Sequence, residues 1–242
     1  MFVGLVELKD VNNMKSAKIF FDEFSKQYEA QSRNKYLFYR WTADNVIKQI
    51  NKQKSVILDL GTGNGEIAIR VALKFPHSSV VGIDVSSGMI NEAKKKVRKI
   101  GLKNVRFVVS PMENLKIEKA DFVVSHLAFH HVRNKLSVVT KVYKILPRKG
   151  RVIIGDWFKP TMGYEKEIEK LRAKNPTLSK KFDASWQDFI SEPSMREYQE
   201  KHPKEYPISQ IKLKNMMKKA GFRKQKIIKM PMATFAVVVG EK

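Results

Sequence analysis

Val56-Ile57-Leu58-Asp59-Leu60-Gly61-Thr62-Gly63-Asn64-Gly65-Glu66 is the stretch that decides the fold, because an apolar run gives way to three alternating glycines. A short apolar run that ends in a turn signal predicts a buried strand ending at Leu60. The glycines let the backbone turn sharply and approach a ligand more closely than residues with a Cβ allow. Apolar residues at helical spacing follow, so the stretch predicts a strand, a ligand-binding turn and a helix.

A second predicted strand, Val80 to Ile83, ends in an acidic residue. It delivers Asp84 at its tip, where a carboxylate can accept hydrogen bonds from both hydroxyls of a ribose. The nicotinamide fingerprint needs a small residue where Glu66 stands, and Asp59 adds a second negative charge nearby. These carboxylates would repel a pyrophosphate, so the site favours a nucleoside cofactor that carries positive charge. S-adenosylmethionine, with an ammonium and a sulfonium, is such a cofactor.

The segment from Asp59 to Gly65 matches, position by position, the D/E-x-G-x-G-x-G motif of the class I S-adenosylmethionine-dependent methyltransferases. Asp84 matches the acid of their second motif, and the chain resembles this family over about residues 15–242. The resemblance implies S-adenosylmethionine as the cofactor. The residues that it implies for cofactor binding are Tyr28, Asp59, Gly61, Thr62, Gly63, Gly65, Asp84, Val85, Met89, Ser110, Met112, Glu113 and Ser125.

Two segments of this set need separate comment. Residues 110–115 are similar to the D-A-E-N-L loop that borders the adenine in the family, but Pro111 replaces the Asp that usually bonds the adenine amine. The resemblance leaves that contact to Ser110 or to a backbone carbonyl. Residues 21–29 are similar to a segment that covers the methionine end of the cofactor, which makes Tyr28 either a lid residue or a core residue.

The fourth predicted strand, residues 121–125, is followed by three histidines. Its tip is similar to that of the small-molecule branch that includes quinone-biosynthesis methyltransferases, where the strand faces the transferring methyl group. His126 and His130 are therefore the candidate general bases, since histidine suits proton transfer near neutral pH. For His131 a role in fixing the turn is favoured. Adjacent histidines usually point in different directions, so we expect no metal site there.

Strands and helices alternate along the chain, which predicts an α/β fold with a doubly wound, mostly parallel, Rossmann-like sheet of seven strands, the last of them antiparallel. The expected divisions are an N-terminal helical lid (1–50), a cofactor-binding domain (51–156 and 209–242) and a helical insertion (157–208). The insertion is rich in aromatic residues and prolines. It follows strand five at the sheet edge where such folds bind ligands, so we expect it to cap the substrate.

Composition and charge limit the catalytic chemistry, the location and the partners that we expect. The 242 residues include no cysteine, which excludes a cysteine nucleophile and thiolate ligation of a metal. No segment has the length of a membrane-spanning helix or the pattern of a signal peptide, so we expect a cytoplasmic protein. The 47 Lys and Arg exceed the 24 Asp and Glu, giving a net charge of +23. One explanation of such an excess is attraction to RNA or to an anionic membrane surface. The alternative is that the source genome encodes lysine-rich proteins in general.

We therefore expect methyl transfer to a small molecule or to a lipid or quinone precursor. An RNA methyltransferase is the alternative that the charge suggests, although the fourth strand lacks the N/D-P-P-Y/F motif that stacks a flipped base. A second alternative is an RNA binder that the cofactor regulates without catalysis. The position of the basic residues relative to the cofactor cavity separates these hypotheses.

Overall fold

The computed structural model describes residues 17–26, 36–114, 116–192, 205–230 and 234–242. Tyr28, which is predicted to contact the cofactor, and Leu115, the last residue of the adenine-loop motif, lie outside these ranges. Ahead of the first strand, residues 17–26 form helix α1 and Leu37–Lys48 form helix α2. Helices were expected in this part of the chain, whereas the role of residues 1–50 as a lid stays a prediction.

A mixed sheet of seven strands runs through the middle of the described residues. In chain order the strands are β1 (Val56–Leu60), β2 (Ser79–Asp84), β3 (Val105–Val109), β4 (Phe122–His126), β5 (Arg151–Trp157), β6 (Lys224–Lys229) and β7 (Phe235–Glu241). Their order in space is β3-β2-β1-β4-β5-β7-β6, and β7 runs antiparallel to both of its neighbours while the other pairs are parallel. The predicted doubly wound sheet with an antiparallel last strand is confirmed.

Helices cover both faces of the sheet. After α2 they are α3 (Glu66–Lys74), α4 (Ser87–Ile100), α5 (Lys135–Ile145), α6 (Tyr164–Lys174), α7 (Pro176–Ser191) and α8 (Gln210–Ala220). One core lies between the sheet and α2, α3 and α4, and a second lies between the sheet and α5 and α8. Ile57 enters the first core and Leu58 the second, and both are fully buried. The strands read as continuous apolar runs because both faces of a parallel sheet are covered.

The chain reverses its winding direction between β1 and β4, which are neighbours in the sheet. The loops that leave the carboxyl ends of these two strands therefore separate to opposite faces and leave a crevice between them. The glycine turn follows β1, and the three histidines begin at the end of β4. The topology thus places the two most informative sequence motifs on either side of one crevice.

The predicted insertion after β5 contains α6 and α7. Trp186 and Phe189 of α7 pack edge-on against Phe38 of α2, with ring centroids 5.5 and 5.1 Å apart. This aromatic contact fixes the insertion to the N-terminal helices; its role as a substrate cap stays a prediction. Among the described residues, no helix combines the length and apolar character needed to cross a bilayer.

Candidate active site

A cavity of about 1000 Å³, counting the part open to solvent, lies at the carboxyl ends of β1, β2 and β4. Ten of the residues predicted to bind the cofactor line its wall: Asp59, Gly61, Thr62, Gly63, Asp84, Val85, Met89, Ser110, Met112 and Glu113. Gly65 and Ser125 are not part of the wall. The Ser125 hydroxyl donates to the carbonyl oxygen of Leu60 at 2.9 Å, so it links β4 to β1 instead.

The turn after β1 needs glycine for two different reasons. Gly61 has a φ of +68°, and a Cβ added there would lie only 2.4 Å from the Cβ of Ala128 across the cavity. Gly65 has a φ of +83°, and its Cβ would lie 2.9 Å from Ala93 and Phe107. Gly61 therefore keeps the two sides of the cavity close together. Gly65 lets the turn pack on α4 and β3 and belongs to the core.

Asp59 carries a buried carboxylate that is only partly satisfied. Its side chain is at the end of β1 and the residue is 1% exposed. Oδ2 accepts a hydrogen bond from the Thr62 hydroxyl at 2.6 Å, whereas Oδ1 has no hydrogen-bond partner among the described residues. Burial, together with repulsion from Asp84, raises the pKa of Asp59 to about 7. A carboxylate in such a position gains strongly from a cation, and the ammonium of S-adenosylmethionine is a matching charge.

Asp84, at the tip of the second strand, is held by backbone hydrogen bonds to both of its carboxylate oxygens. Its carboxylate accepts hydrogen bonds from the backbone N–H of Gly63 at 2.8 Å and of Ser86 at 2.9 Å. Burial raises the pKa of Asp84, and these backbone bonds oppose that rise. The side chain thereby fixes the glycine turn to the β2 loop. Each carboxylate oxygen keeps a further lone pair, and its hydrogen bond with a ribose hydroxyl stays a prediction.

The adenine loop is described up to Asn114. Ser110, Pro111, Met112 and Glu113 all reach the cavity wall. The Ser110 hydroxyl lies 3.3 Å from the carbonyl oxygen of Pro111 and 3.4 Å from that of Asn114. Because the hydroxyl has acceptors within its own loop, a backbone carbonyl is the better candidate for the contact that Pro111 displaces.

Helix α1 closes the cavity from one side, and Asp22 attaches it there. The Asp22 Oδ1 atom accepts from the Ser86 hydroxyl at 2.6 Å, from the Gly88 N–H at 2.7 Å and from the Ser87 hydroxyl at 3.3 Å. These groups form the N-terminus of α4, where a negative charge is stabilised by the helix dipole. Burial acts to raise the pKa of Asp22, but the bonds from Gly88, Lys18 and Ser86 outweigh it and lower the pKa. Phe21, the preceding residue, lines the cavity.

We expect Asp22→Ala to release the cofactor about tenfold faster, because hydrogen bonds to a charged group contribute about 1.5–3 kcal/mol each and this change removes the attachment of α1. Stopped-flow displacement of bound S-adenosylhomocysteine measures the rate. Glu23→Ala is the matched control, since Glu23 is exposed on the same helix and carries the same charge. Equal release rates in the two variants would show that Asp22 does not hold α1 over the cavity.

His126, one of the two predicted bases, lines the cavity, but its side chain is buried in the wall. Its Nε2 lies 2.9 Å from the Thr42 hydroxyl, and the Tyr39 ring meets it edge-on at 4.7 Å between centroids. Burial lowers the pKa of His126 to about 4, so the ring is neutral at physiological pH. The ring can orient a polar group of an acceptor, but it is a weak proton acceptor.

His130, the other predicted base, belongs to a compact group of four side chains that we call the histidine cluster: His130, His131, Asp156 and Glu205. The ring atom His130 Nδ1 lies 2.7 Å from Asp156 Oδ1, and the backbone N–H of His130 donates to Asp156 Oδ2 at 2.9 Å. On the other side of the ring, Nε2 lies 3.6 Å from Glu205 Oε1. The His130 and His131 rings are 4.1 Å apart between centroids. Asp156 therefore fixes the loop after β4.

The two adjacent histidines do not diverge as expected. They share the short 3₁₀ turn Phe129–His131, which brings their rings together. His131 lines the cavity and meets Phe21 edge-on at 5.4 Å, whereas His130 lies behind it. Sequence reasoning favoured His131 only as a turn residue and did not select the wall residues Phe21, Tyr39, Leu127 and Val132. Phe21 begins the segment that is similar to a cofactor-covering one, whereas the local pattern contains no signal for Tyr39, Leu127 and Val132, because tertiary packing decides which of them face the cavity.

Comparisons with known proteins identify the family of the chain. A family model described as a methyltransferase domain matches residues 51–221, more than half of the chain. Demethylmenaquinone methyltransferase of Lactococcus lactis is 28% identical over 189 residues, which cover 75% of this chain and 71% of that protein. Malonyl-[acyl-carrier protein] O-methyltransferase of Priestia megaterium is 28% identical over 134 residues, which cover 55% of this chain and 48% of that protein.

Solved structures show the same fold. A SAM-dependent methyltransferase from Aquifex aeolicus aligns over 91% of this chain and 98% of its own, with a TM-score of 0.62 and 19% identity. The crevice, the glycine turn and the unsatisfied Asp59 carboxylate all fit S-adenosylmethionine. The chain therefore belongs to the methyltransferase-domain family and is an S-adenosylmethionine-dependent methyltransferase.

Proposed function

We propose that this protein methylates a small molecule or a lipid-like precursor, such as a quinone precursor or an acyl thioester, within the cavity described above. The observation that carries the proposal is the charge of the cavity wall. Within the described residues, the wall includes Asp59, Glu66, Asp84 and Glu113 but neither lysine nor arginine. A polyphosphate chain would be repelled at this wall, although the protein as a whole has a net charge of +23.

The acceptor side of the cavity supports an apolar, compact acceptor. Phe21, Tyr39, Leu127 and Val132 line it, and His126 and His131 are the polar groups among them. Pockets for small molecules have this composition, with mostly apolar walls and a few polar groups that fix orientation. Two relatives are named as methyltransferases of demethylmenaquinone and of malonyl-acyl carrier protein, and both acceptors belong to this class.

Methyl transfer places modest chemical demands on the protein. When bound, S-adenosylmethionine supplies a methyl group that its sulfonium already activates. The residues of this chain contribute alignment and the exclusion of water: Asp59 attracts the ammonium, Asp84 holds the ribose, and Phe21 covers the cavity from α1. We expect the proton of the acceptor to be removed at the part of the cavity that His126 and His131 line. Burial weakens His126 as a base, whereas Asp156 holds His130; because His130 lies behind His131, it would take the proton through one bridging water molecule.

We expect His130→Ala to lower kcat by about 100-fold, the lower end of what a general base contributes, with unchanged cofactor affinity. His126→Ala should instead raise the KM of the acceptor with a smaller effect on kcat, because it removes an orienting group from the wall. Steady-state kinetics and calorimetry with S-adenosylmethionine separate the two effects. Full turnover in both variants, with intact cofactor binding, would show that neither His126 nor His130 takes part in the reaction.

A panel of defined acceptors tests the proposed substrate class. The purified protein is incubated with methyl-labelled S-adenosylmethionine and, separately, with a demethylated quinol, malonyl-acyl carrier protein, transfer RNA and ribosomal RNA. Label should appear on the quinol or on the acyl thioester and should be lost in Gly61→Ala, which disturbs the cofactor turn. Label on either RNA, at a rate that exceeds both small acceptors, would overturn the proposal. Docking of the basic surface on an anionic membrane stays a prediction.

A further inference from the structure

We infer that the histidine cluster is a binding site for a divalent transition-metal cation of the zinc type, with His130, His131 and Glu205 as its ligands. One ligand atom from each of the three side chains can be chosen so that all of them lie within 4.8 Å of one another. Two imidazoles and one carboxylate form a ligand set that zinc uses in proteins, and such three-ligand sites keep a position open for a further group. The inference concerns a site that methyl transfer from S-adenosylmethionine does not itself require.

The His130–Asp156 contact orients His130 as a metal ligand. A carboxylate accepts hydrogen bonds only, so the 2.7 Å contact with Asp156 Oδ1 places a proton on His130 Nδ1. The lone pair of the neutral ring is then at Nε2. Metal-bound histidines almost always donate their other N–H to a carboxylate, a carbonyl or water, which fixes the tautomer. Asp156, which is almost fully buried, supplies this outer partner.

The opposite side of the His130 ring faces the Glu205 carboxylate. Nε2 lies 3.6 Å from Glu205 Oε1. In the neutral tautomer both atoms present lone pairs to each other, and a positive charge between them removes that conflict. The separation is close to the roughly 3.4 Å expected between two ligand atoms of a tetrahedral zinc ion with bonds of about 2.1 Å. A proton on Nε2 is the competing explanation, and the experiment below separates the two.

Backbone contacts hold Glu205 at this place. The N–H of Tyr206, the next residue, donates to the carbonyl oxygen of His130 at 2.8 Å. The Lys135 ammonium donates to the Tyr206 carbonyl oxygen at 2.6 Å and to the His130 carbonyl oxygen at 3.4 Å. The protons of the Lys135 ammonium point at these backbone oxygens. Glu205 is thus delivered to His130 by fixed hydrogen bonds, as a built site requires.

The position of the cluster gives the cation a use. Of the three ligands, His131 is the one among the described wall residues, where it lies against Phe21, so the cation would lie behind the wall with an open coordination position on the side of His131. An oxygen of the acceptor could fill that position, which would orient the acceptor and lower the pKa of a hydroxyl group. This use rests on the proposed function, whereas the site itself does not. With the cation bound, His130 serves as a ligand and no longer as a proton acceptor.

The test is a Zn²⁺ titration of the metal-free, untagged full chain in competition with a chromophoric chelator, in the absence of any acceptor. Co²⁺ then serves as a spectroscopic probe of nitrogen and oxygen ligation. We expect saturation at one cation per chain. His131→Ala and Glu205→Gln should each weaken binding by about 100-fold, and Asp156→Asn by about 10-fold, because loss of outer partners costs 10- to 100-fold. His77 is exposed and precedes β2, at the opposite end of that strand from the cavity, so His77→Ala should leave Zn²⁺ binding unchanged.

Each result decides the inference. Stoichiometric binding that the three cluster variants weaken and His77→Ala does not would support it. The absence of saturable binding, or binding that Glu205→Gln leaves unchanged, would overturn it and leave a proton between His130 and Glu205. Because no turnover is measured, a wrong acceptor class cannot produce the same outcome. Far-ultraviolet circular dichroism of each variant confirms that loss of binding is not loss of folding.

Discussion

Gly61→Ala should lower the affinity for S-adenosylmethionine by about 1000-fold while the protein still folds. The added Cβ would lie 2.4 Å from the Cβ of Ala128 and 3.1 Å from the end of the Met112 side chain. Contacts this short force the turn after β1 or the loop after β4 to move. Both of them line the cofactor cavity, so the movement changes the shape of the site. Calorimetric titration with S-adenosylmethionine measures the loss.

Gly101→Ala provides a matched control. Gly101 has the same φ of +68° as Gly61, but no atom lies within 4 Å of the Cβ that would be added. An L-residue in the left-handed region costs roughly 1 kcal/mol, and both variants bear that cost. Gly101→Ala should therefore lose a similar amount of stability and keep its affinity for the cofactor. Equal affinities in the two variants would contradict the role assigned to the close contact with Ala128.

Asp59→Asn should weaken cofactor binding by 100- to 1000-fold and stabilise the protein without cofactor. Removing one partner of a buried ion pair costs about 3–5 kcal/mol, and we expect the lower part of that range here. Folding raises the pKa of Asp59 from 3.8 to about 7, chiefly through burial. The protein without cofactor therefore loses stability as the pH rises from about 4 to about 7, by at most about 4 kcal/mol. The uncharged amide avoids this loss, so the free energy of unfolding at pH 8 should rise.

The same carboxylate predicts how cofactor binding depends on pH. Below pH 7, Asp59 is protonated in the free protein and must lose its proton to pair with the ammonium. The affinity of the unmodified protein should fall by up to about tenfold for each pH unit between 7 and 5, a window in which the ammonium stays charged. Asp59→Asn should show a flat profile over this window, whereas Asp44→Asn, a change of an exposed carboxylate, should keep the slope. A slope that persists in Asp59→Asn would assign the titration to another group.

Much of the cofactor site could be predicted because its signals are local. Gly61 and Gly63 stand in a left-handed turn that few other residues adopt, and Asp84 ends a strand whose apolar pattern is continuous. Strand order then places these motifs at one edge of the sheet by topology alone. Gly65 and Ser125 belong to the same motifs but serve packing and strand linkage. A motif match therefore identifies the turn without stating which of its members touch the ligand.

The contacts that could not be predicted join distant parts of the chain. Asp22 binds the N-terminus of α4, 64 residues away at Ser86, and Glu205 meets His130 only because Tyr206 pairs with the loop after β4. His131 faces the cavity because a 3₁₀ turn rotates it past His130. None of these arrangements has a periodic or compositional signature. The absence of lysine and arginine from the described cavity wall is another such property, because the net charge of +23 does not show where the basic residues lie.

The most direct test of the small-acceptor function is a labelling experiment with the natural mixture of acceptors. The protein is incubated with methyl-labelled S-adenosylmethionine and an extract of the cells that produce it, and Gly61→Ala serves as the inactive control. The label is then divided into RNA, lipid, small-molecule and acyl-carrier-protein fractions. Because the cavity wall carries acidic and apolar residues but no described lysine or arginine, we expect the enzyme-dependent label in one of the three fractions other than RNA. Label that enters RNA instead would mean that the net charge of +23 determines the substrate, and it would contradict the function proposed for this cavity.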